Sequence, residues 1–126
     1  MRKIIVTTDA PAAVGPYSQA VAVGGFLFCA GQIPLDLATG EIVPGDLTAQ
    51  TDRVCRNIAA VLKSNGMTFT QVVKSTIFLT DMADFGAMNA VYANCFTDPF
   101  PACSTVAVTS FPRGAQVEIE VVASAE

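Results

Sequence analysis

The stretch from Ala20 to Gly31 constrains this chain more than any other. It runs twelve residues without a charge, is apolar almost throughout, and is cut by Gly24-Gly25. A membrane-spanning helix needs about 20 such residues, so this segment is too short to span a bilayer. Two glycines between β-prone runs, Tyr17 to Val23 and Phe26 to Ala30, predict a two-residue hairpin, because the primed turns demand φ > 0 at both central positions. Strands this uniformly apolar predict burial on both faces of a sheet. Helices can cover one face. The other lacks a cover in a chain of 126 residues, which buries only about two-thirds of its unfolded surface. A further copy of the chain is the expected cover, and the 52% apolar content points the same way.

The remaining pattern supplies the helices. Asp46 stands at an N-cap position, and Leu47, Thr51, Val54, Ile58, Val61 and Leu62 follow at helical intervals until Asn65-Gly66. That predicts an amphipathic helix of about five turns. Asp81 is placed to cap a second helix whose Met82, Phe85, Met88, Tyr92 and Phe96 read as core, with Pro99 beyond its end. Short β runs at Ile4 to Thr7, Val72 to Leu79, Ser104 to Val108 and Val117 to Ala123 complete the set. Gln32 to Gly45, with two prolines and two glycines, reads as a loop. The expected fold is a single α+β domain over residues 1–126: a mixed sheet of five or six strands with two helices on one face.

Composition then excludes chemistry. There is no histidine, which removes Ser-His and Cys-His nucleophile pairs and any base with an unperturbed pKa near ~6.5. Cys29, Cys55, Cys95 and Cys103 contain no C-x-x-C pair, so free thiols are expected rather than disulfides or a metal site. Seven cations against eleven acids, spread as Arg2, Lys3, Arg53, Arg56, Lys63, Lys74 and Arg113, form no basic stripe, which disfavours nucleic acid as a partner. The basic N-terminus, Met-Arg-Lys-Ile-Ile-Val, has neither the apolar run nor the small-residue cleavage site of a signal peptide. A cytoplasmic protein with no membrane partner and no cofactor is the expectation.

Few residues can carry chemistry. Glu118 and Glu120 alternate with apolar neighbours, placing both carboxylates on one strand face about 6.6 Å apart. Either a solvated face or a cleft carboxylate that orients water fits that pair. Tyr17, after Gly15-Pro16, reads as a packing residue with a phenolic donor to spare. Cys103 has no adjoining cation to depress its pKa and reads as a small apolar group.

Four ordered motifs, Ala10-Pro-Ala-Ala-Val-Gly-Pro-Tyr-Ser-Gln-Ala, Ala30-Gly-Gln-Ile-Pro, Asp81-Met-Ala-Asp-Phe-Gly-Ala-Met-Asn-Ala-Val-Tyr and Phe100-Pro-Ala, resemble the reactive-intermediate deaminase (RidA, YjgF) family end to end. The resemblance implies a chorismate-mutase-like fold assembled as a homotrimer, with a central β-barrel and small-molecule clefts between subunits. It implies hydrolysis of short-lived 2-imino or enamine acids to 2-keto acids and ammonia. Within it, Tyr17 matches the cleft tyrosine, Gly31 a backbone donor, and Glu118 the glutamate that positions water. Thr105 falls where a backbone N–H contact is expected, and Ala30 stands where a serine is common. Cys103 occupies the position of the arginine that clamps the substrate carboxylate. A charged hydrogen bond contributes roughly 1.5–3 kcal/mol, so that departure implies weakened or altered imino-acid turnover, with Arg113 the one cation on the same C-terminal segment. A non-catalytic trimer that binds a metabolite in the same cleft is the alternative, and RNA cleavage without histidine, metal or basic groove is disfavoured.

Overall fold

The structure, a computed structural model, describes all residues 1–126. Its elements are β1 (Lys3–Ile5), β2 (Ala20–Val23), β3 (Phe26–Cys29), α1 (Leu47–Ser64), β4 (Val72–Leu79), α2 (Phe85–Cys95), β5 (Ala102–Ala107) and β6 (Val117–Ser124). They form one six-stranded sheet in the order β1-β2-β3-β6-β4-β5. Every pair is antiparallel except β4 with β5, which α2 connects as a parallel crossover. The α+β architecture expected from the sequence is therefore present, with a mixed sheet and two helices.

The hairpin forms at Gly24 and Gly25, whose φ values of 59° and 83° are the left-handed conformation that a Cβ would oppose. Helix α1 begins where the sequence places it: the Asp46 carboxylate accepts from the Ala49 N–H at 3.0 Å, satisfying one of the free donors of the first turn. It ends in a Schellman arrangement, with the Gly66 N–H donating to Lys63 C=O at 2.9 Å and the Met67 N–H to Leu62 C=O at 3.0 Å. Val54, Ile58, Val61 and Leu62 on α1 are fully buried, as are Leu27, Leu79, Val117 and Ile119 on the sheet. One continuous core results.

The opposite sheet face is bare. Phe26 and Phe28 are 44% and 47% exposed, while Leu27 and Cys29, which alternate with them along β3, are buried. The apolar run from Ala20 to Gly31 is thus covered on one side only within a single chain, rather than on both. Edge strand β5 is mostly exposed, Val106 included.

The second helix departs from its expected form. Asp81 does act as a cap, accepting from the Ala83 N–H at 2.9 Å, but the turn it caps is a 3₁₀ turn at Met82–Asp84. The α-helical phase starts only at Phe85. Extrapolating a 3.6-residue period from Asp81 therefore misplaces its first residues, and Met82 and Phe85 are exposed rather than core. Met88, Tyr92 and Phe96 are buried as expected. Tyr92 stacks on Phe96 with ring centroids 3.9 Å apart, and its hydroxyl meets the buried Ser75 Oγ at 2.7 Å.

Candidate active site

The cleft is built around β6. Gln32, just outside β3, makes an isolated antiparallel bridge with Ile119: its N–H donates to the Ile119 carbonyl at 2.9 Å and its carbonyl accepts from the Ile119 N–H at 3.2 Å. That bridge sets Gly31 beside Glu118. A Cβ at position 31 would lie 2.6 Å from Glu118 Oε2 and 2.7 Å from its Cδ. Gly31 leaves room for the carboxylate, which occupies the volume a side chain would take. Glu118 is half-buried. Desolvation holds its carboxyl above the usual range, and the negative charge of Glu120 adds to that.

Two buried amides fix the walls. Asn57 on α1 donates from Nδ2 to the carbonyls of Ile33 and Leu35 at 3.2 and 3.1 Å, while Arg53 donates to its Oδ1. Gln19 does the same for the N-terminal wall. Its Oε1 accepts from the Thr7 N–H at 2.7 Å, and its Nε2 reaches the carbonyls of Thr7, Ala10 and Pro11 at 3.0, 3.3 and 2.8 Å. The consequence for Tyr17 is a correction. The chain there serves the wall rather than β2, which starts only at Ala20. Tyr17 is 54% exposed instead of packed, its Oη accepting from the Val14 N–H at 3.3 Å.

Tyr17, Gly31, Glu118 and Arg113 line one cleft of about 290 Å³. Tyr17 and Arg113 also line an adjoining, largely apolar cavity of about 670 Å³ that includes Val14, Leu35 and Leu37. Arg113 was not placed in this cleft by any sequence motif. Its position follows from the turn Pro112–Gly114, which lies three residues before β6 and carries Arg113 at φ 62°. Pro112 and Gly114 signalled that turn, but not the direction of its side chain. The Arg113 Nη1 donates to the carbonyl of Gly40, and the one ion pair in the structure, Arg56 with Asp52, is elsewhere.

The remaining site residues are not brought together with these. Ala30 donates its N–H to the Gln19 carbonyl at 2.9 Å and adjoins the cleft without lining it. Cys103 and Thr105 lie on β5, in register with Ser75 and Ile77, whose side chains are buried on the helix side. Glu118 lies on β6 opposite Phe78, whose side chain points the other way. The two halves of the set are thus separated by β4 and by the sheet itself. Cys103 is exposed, its Sγ 3.9 Å from the Thr105 Oγ1. All four cysteines are free thiols, and no three His, Cys, Asp or Glu residues converge as a metal site would require. No helix is long and apolar enough to cross a membrane.

Residues 7–125 match the family described as Endoribonuclease L-PSP. The chain belongs to this family. Among its relatives in the L-PSP family are Protein DfrA of Myxococcus xanthus, 52% identical over 97% of this chain and 95% of that protein, and the 2-iminobutanoate/2-iminopropanoate deaminase of Mus musculus, 44% identical over 98% and 91%. The same fold is seen in Escherichia coli TdcF, crystallised with bound serine, at a TM-score of 0.90 and 38% identity, covering 97% of this chain and 98% of that one. The likeness to reactive-intermediate deaminases carried by the four motifs therefore holds along the whole L-PSP domain.

Proposed function

We propose that this L-PSP family member is an imine deaminase that hydrolyses reactive 2-imino acids, of the 2-aminoacrylate type, to 2-keto acids and ammonia. The observation that carries the reading is Glu118: a half-buried carboxylate with a raised pKa, filling the space a side chain at Gly31 would take, in a cleft that also holds Tyr17 and Arg113. A protonated imine is already electrophilic. Its hydrolysis needs a base for the attacking water, and a carboxyl whose pKa lies closer to neutrality is better matched to that task. Glu118 takes a proton from water as its oxygen bonds to the imine carbon, then returns that proton to nitrogen. The C–N bond breaks, ammonia leaves, and the hydroxyl loses its proton as the keto group forms. Kinship to the mouse deaminase supports the assignment.

The proposed assembly is a cytoplasmic homotrimer with the cleft between subunits. The bare sheet face with Phe26 and Phe28, and the separation of Cys103 and Thr105 from Glu118 within one chain, both support it. Light scattering is expected to give three times 13.1 kDa; the monomer mass would reject the trimer. A non-catalytic, metabolite-binding trimer is the second reading, favoured by a cysteine standing at position 103 in place of an arginine. Generating 2-aminoacrylate in situ with a serine lyase separates the two. Accelerated pyruvate release supports the deaminase, and a rate equal to spontaneous hydrolysis leaves the binding protein.

A further inference from the structure

The deaminase reading leaves a substrate carboxylate to be held, and the motif position expected to hold it carries Cys103. A thiol offers neither charge nor a bidentate pair of donors. Of the seven cations in the chain, only Arg113 lines the cleft that contains Glu118 or the apolar cavity beside it. Its guanidinium is not neutralised, since no carboxylate lies within ion-pair distance of it. Only one of its five N–H donors is engaged, by the Gly40 carbonyl. That bond ties the side chain to the 36–42 loop, which is itself closed by a bridge between Leu35 and Ile42. A cation here also offsets the charge of the cleft. Glu118 is an unpaired acid in the same cleft, and alone it would repel an anionic substrate.

We propose that Arg113 is the carboxylate-binding residue of this cleft, taking over in the same chain the role that position 103 no longer fills. The proposal deepens the deaminase reading and rests on it. The substrate class it selects is an anionic 2-imino acid whose carboxylate faces Arg113 and whose imine carbon faces Glu118. The adjoining cavity, lined by Val14, Leu35 and Leu37, is left for an apolar side chain.

Two variants test the charge. Arg113→Gln removes the charge and, being shorter, gives up the Gly40 carbonyl; Arg113→Lys restores charge without the planar fork. The kcat and KM are measured with 2-aminoacrylate generated in situ, and binding of 2-oxobutanoate is titrated separately by ligand-observed NMR. R113Q is expected to lower kcat/KM by about 10–100-fold, chiefly through KM, and to weaken 2-oxobutanoate binding by a similar factor, with R113K recovering part of both. KM and binding in R113Q within about twofold of wild type would overturn the proposal, as would a loss that R113K does not relieve. If the wild type fails to accelerate hydrolysis, the deaminase reading falls. The 2-oxobutanoate titration then decides Arg113 alone: weaker binding in R113Q supports it, and equal or absent binding overturns it.

Discussion

Replacing Gly31 by alanine tests the central geometry of the cleft. The added Cβ would stand 2.6 Å from Glu118 Oε2, 2.7 Å from Cδ and 3.0 Å from Cγ, where ordinary contact begins near 3.4 Å. The carboxylate must therefore retreat by about 0.8 Å, and the backbone bridge between Gln32 and Ile119 resists any compensating slide of the strand. Misplacing a reacting group by about 1 Å can lower a rate by ~100-fold, so Gly31→Ala is expected to reduce kcat/KM by about 30–100-fold. Stability should change little, because Glu118 is half-buried and its far end can swing toward solvent. The assay is pyruvate release from 2-aminoacrylate, with thermal melting alongside. A double-mutant cycle completes it: in a Glu118→Ala background the same alanine should have almost no further effect. Wild-type activity in G31A, or fully additive losses, would refute the claim that glycine is there to make room for the carboxylate.

Other outcomes follow from named contacts. Because the Glu118 pKa is raised in the folded chain, the folded state keeps that proton to higher pH than the unfolded state. Its ionisation has no effect on stability below the unfolded value near ~4.3 and becomes destabilising as pH rises through the folded pKa. Glu118→Gln should accordingly melt higher than wild type at pH 7 and at the same temperature near pH 3, as scanning calorimetry would record, while losing turnover. Tyr92→Phe strands the fully buried Ser75 hydroxyl and should lower stability by about 1–2 kcal/mol in urea titration. Arg113→Gly relieves a left-handed backbone that costs an L-residue roughly 1–2 kcal/mol, so it should raise the melting temperature while weakening substrate binding. Cys103→Arg in an R113Q background should recover turnover by about 10-fold; no recovery would show that position 103 does not face a cleft.

Much of the fold was legible because its signals are local. Asp46, the Val54-Ile58-Val61-Leu62 stripe and Asn65-Gly66 delimit α1 correctly, since capping and periodicity act within a few residues. The start of α2 was not legible, because a 3₁₀ turn and an α-helix share the same capping residue and differ only in the phase that follows. For the site, the motifs brought out Tyr17, Gly31 and Glu118, which the fold does gather. Gln19 and Asn57 carry no such signal, and Arg113 stands out only as the one cation on the C-terminal segment, with nothing to place it in the cleft. Their roles depend on partners 8 to 73 residues away in sequence, and no periodicity encodes such distances.

Gln19 has one last consequence. Its single amide makes every side-chain bond that ties Thr7, Ala10 and Pro11 to the start of β2, and no strand ladder backs the segment between residues 6 and 19. That stretch should come loose all at once, on its own and well before the sheet. In hydrogen-exchange mass spectrometry it would appear as a distinct unit of low protection, so the entrance to the cleft has an opening equilibrium of its own, set by one glutamine.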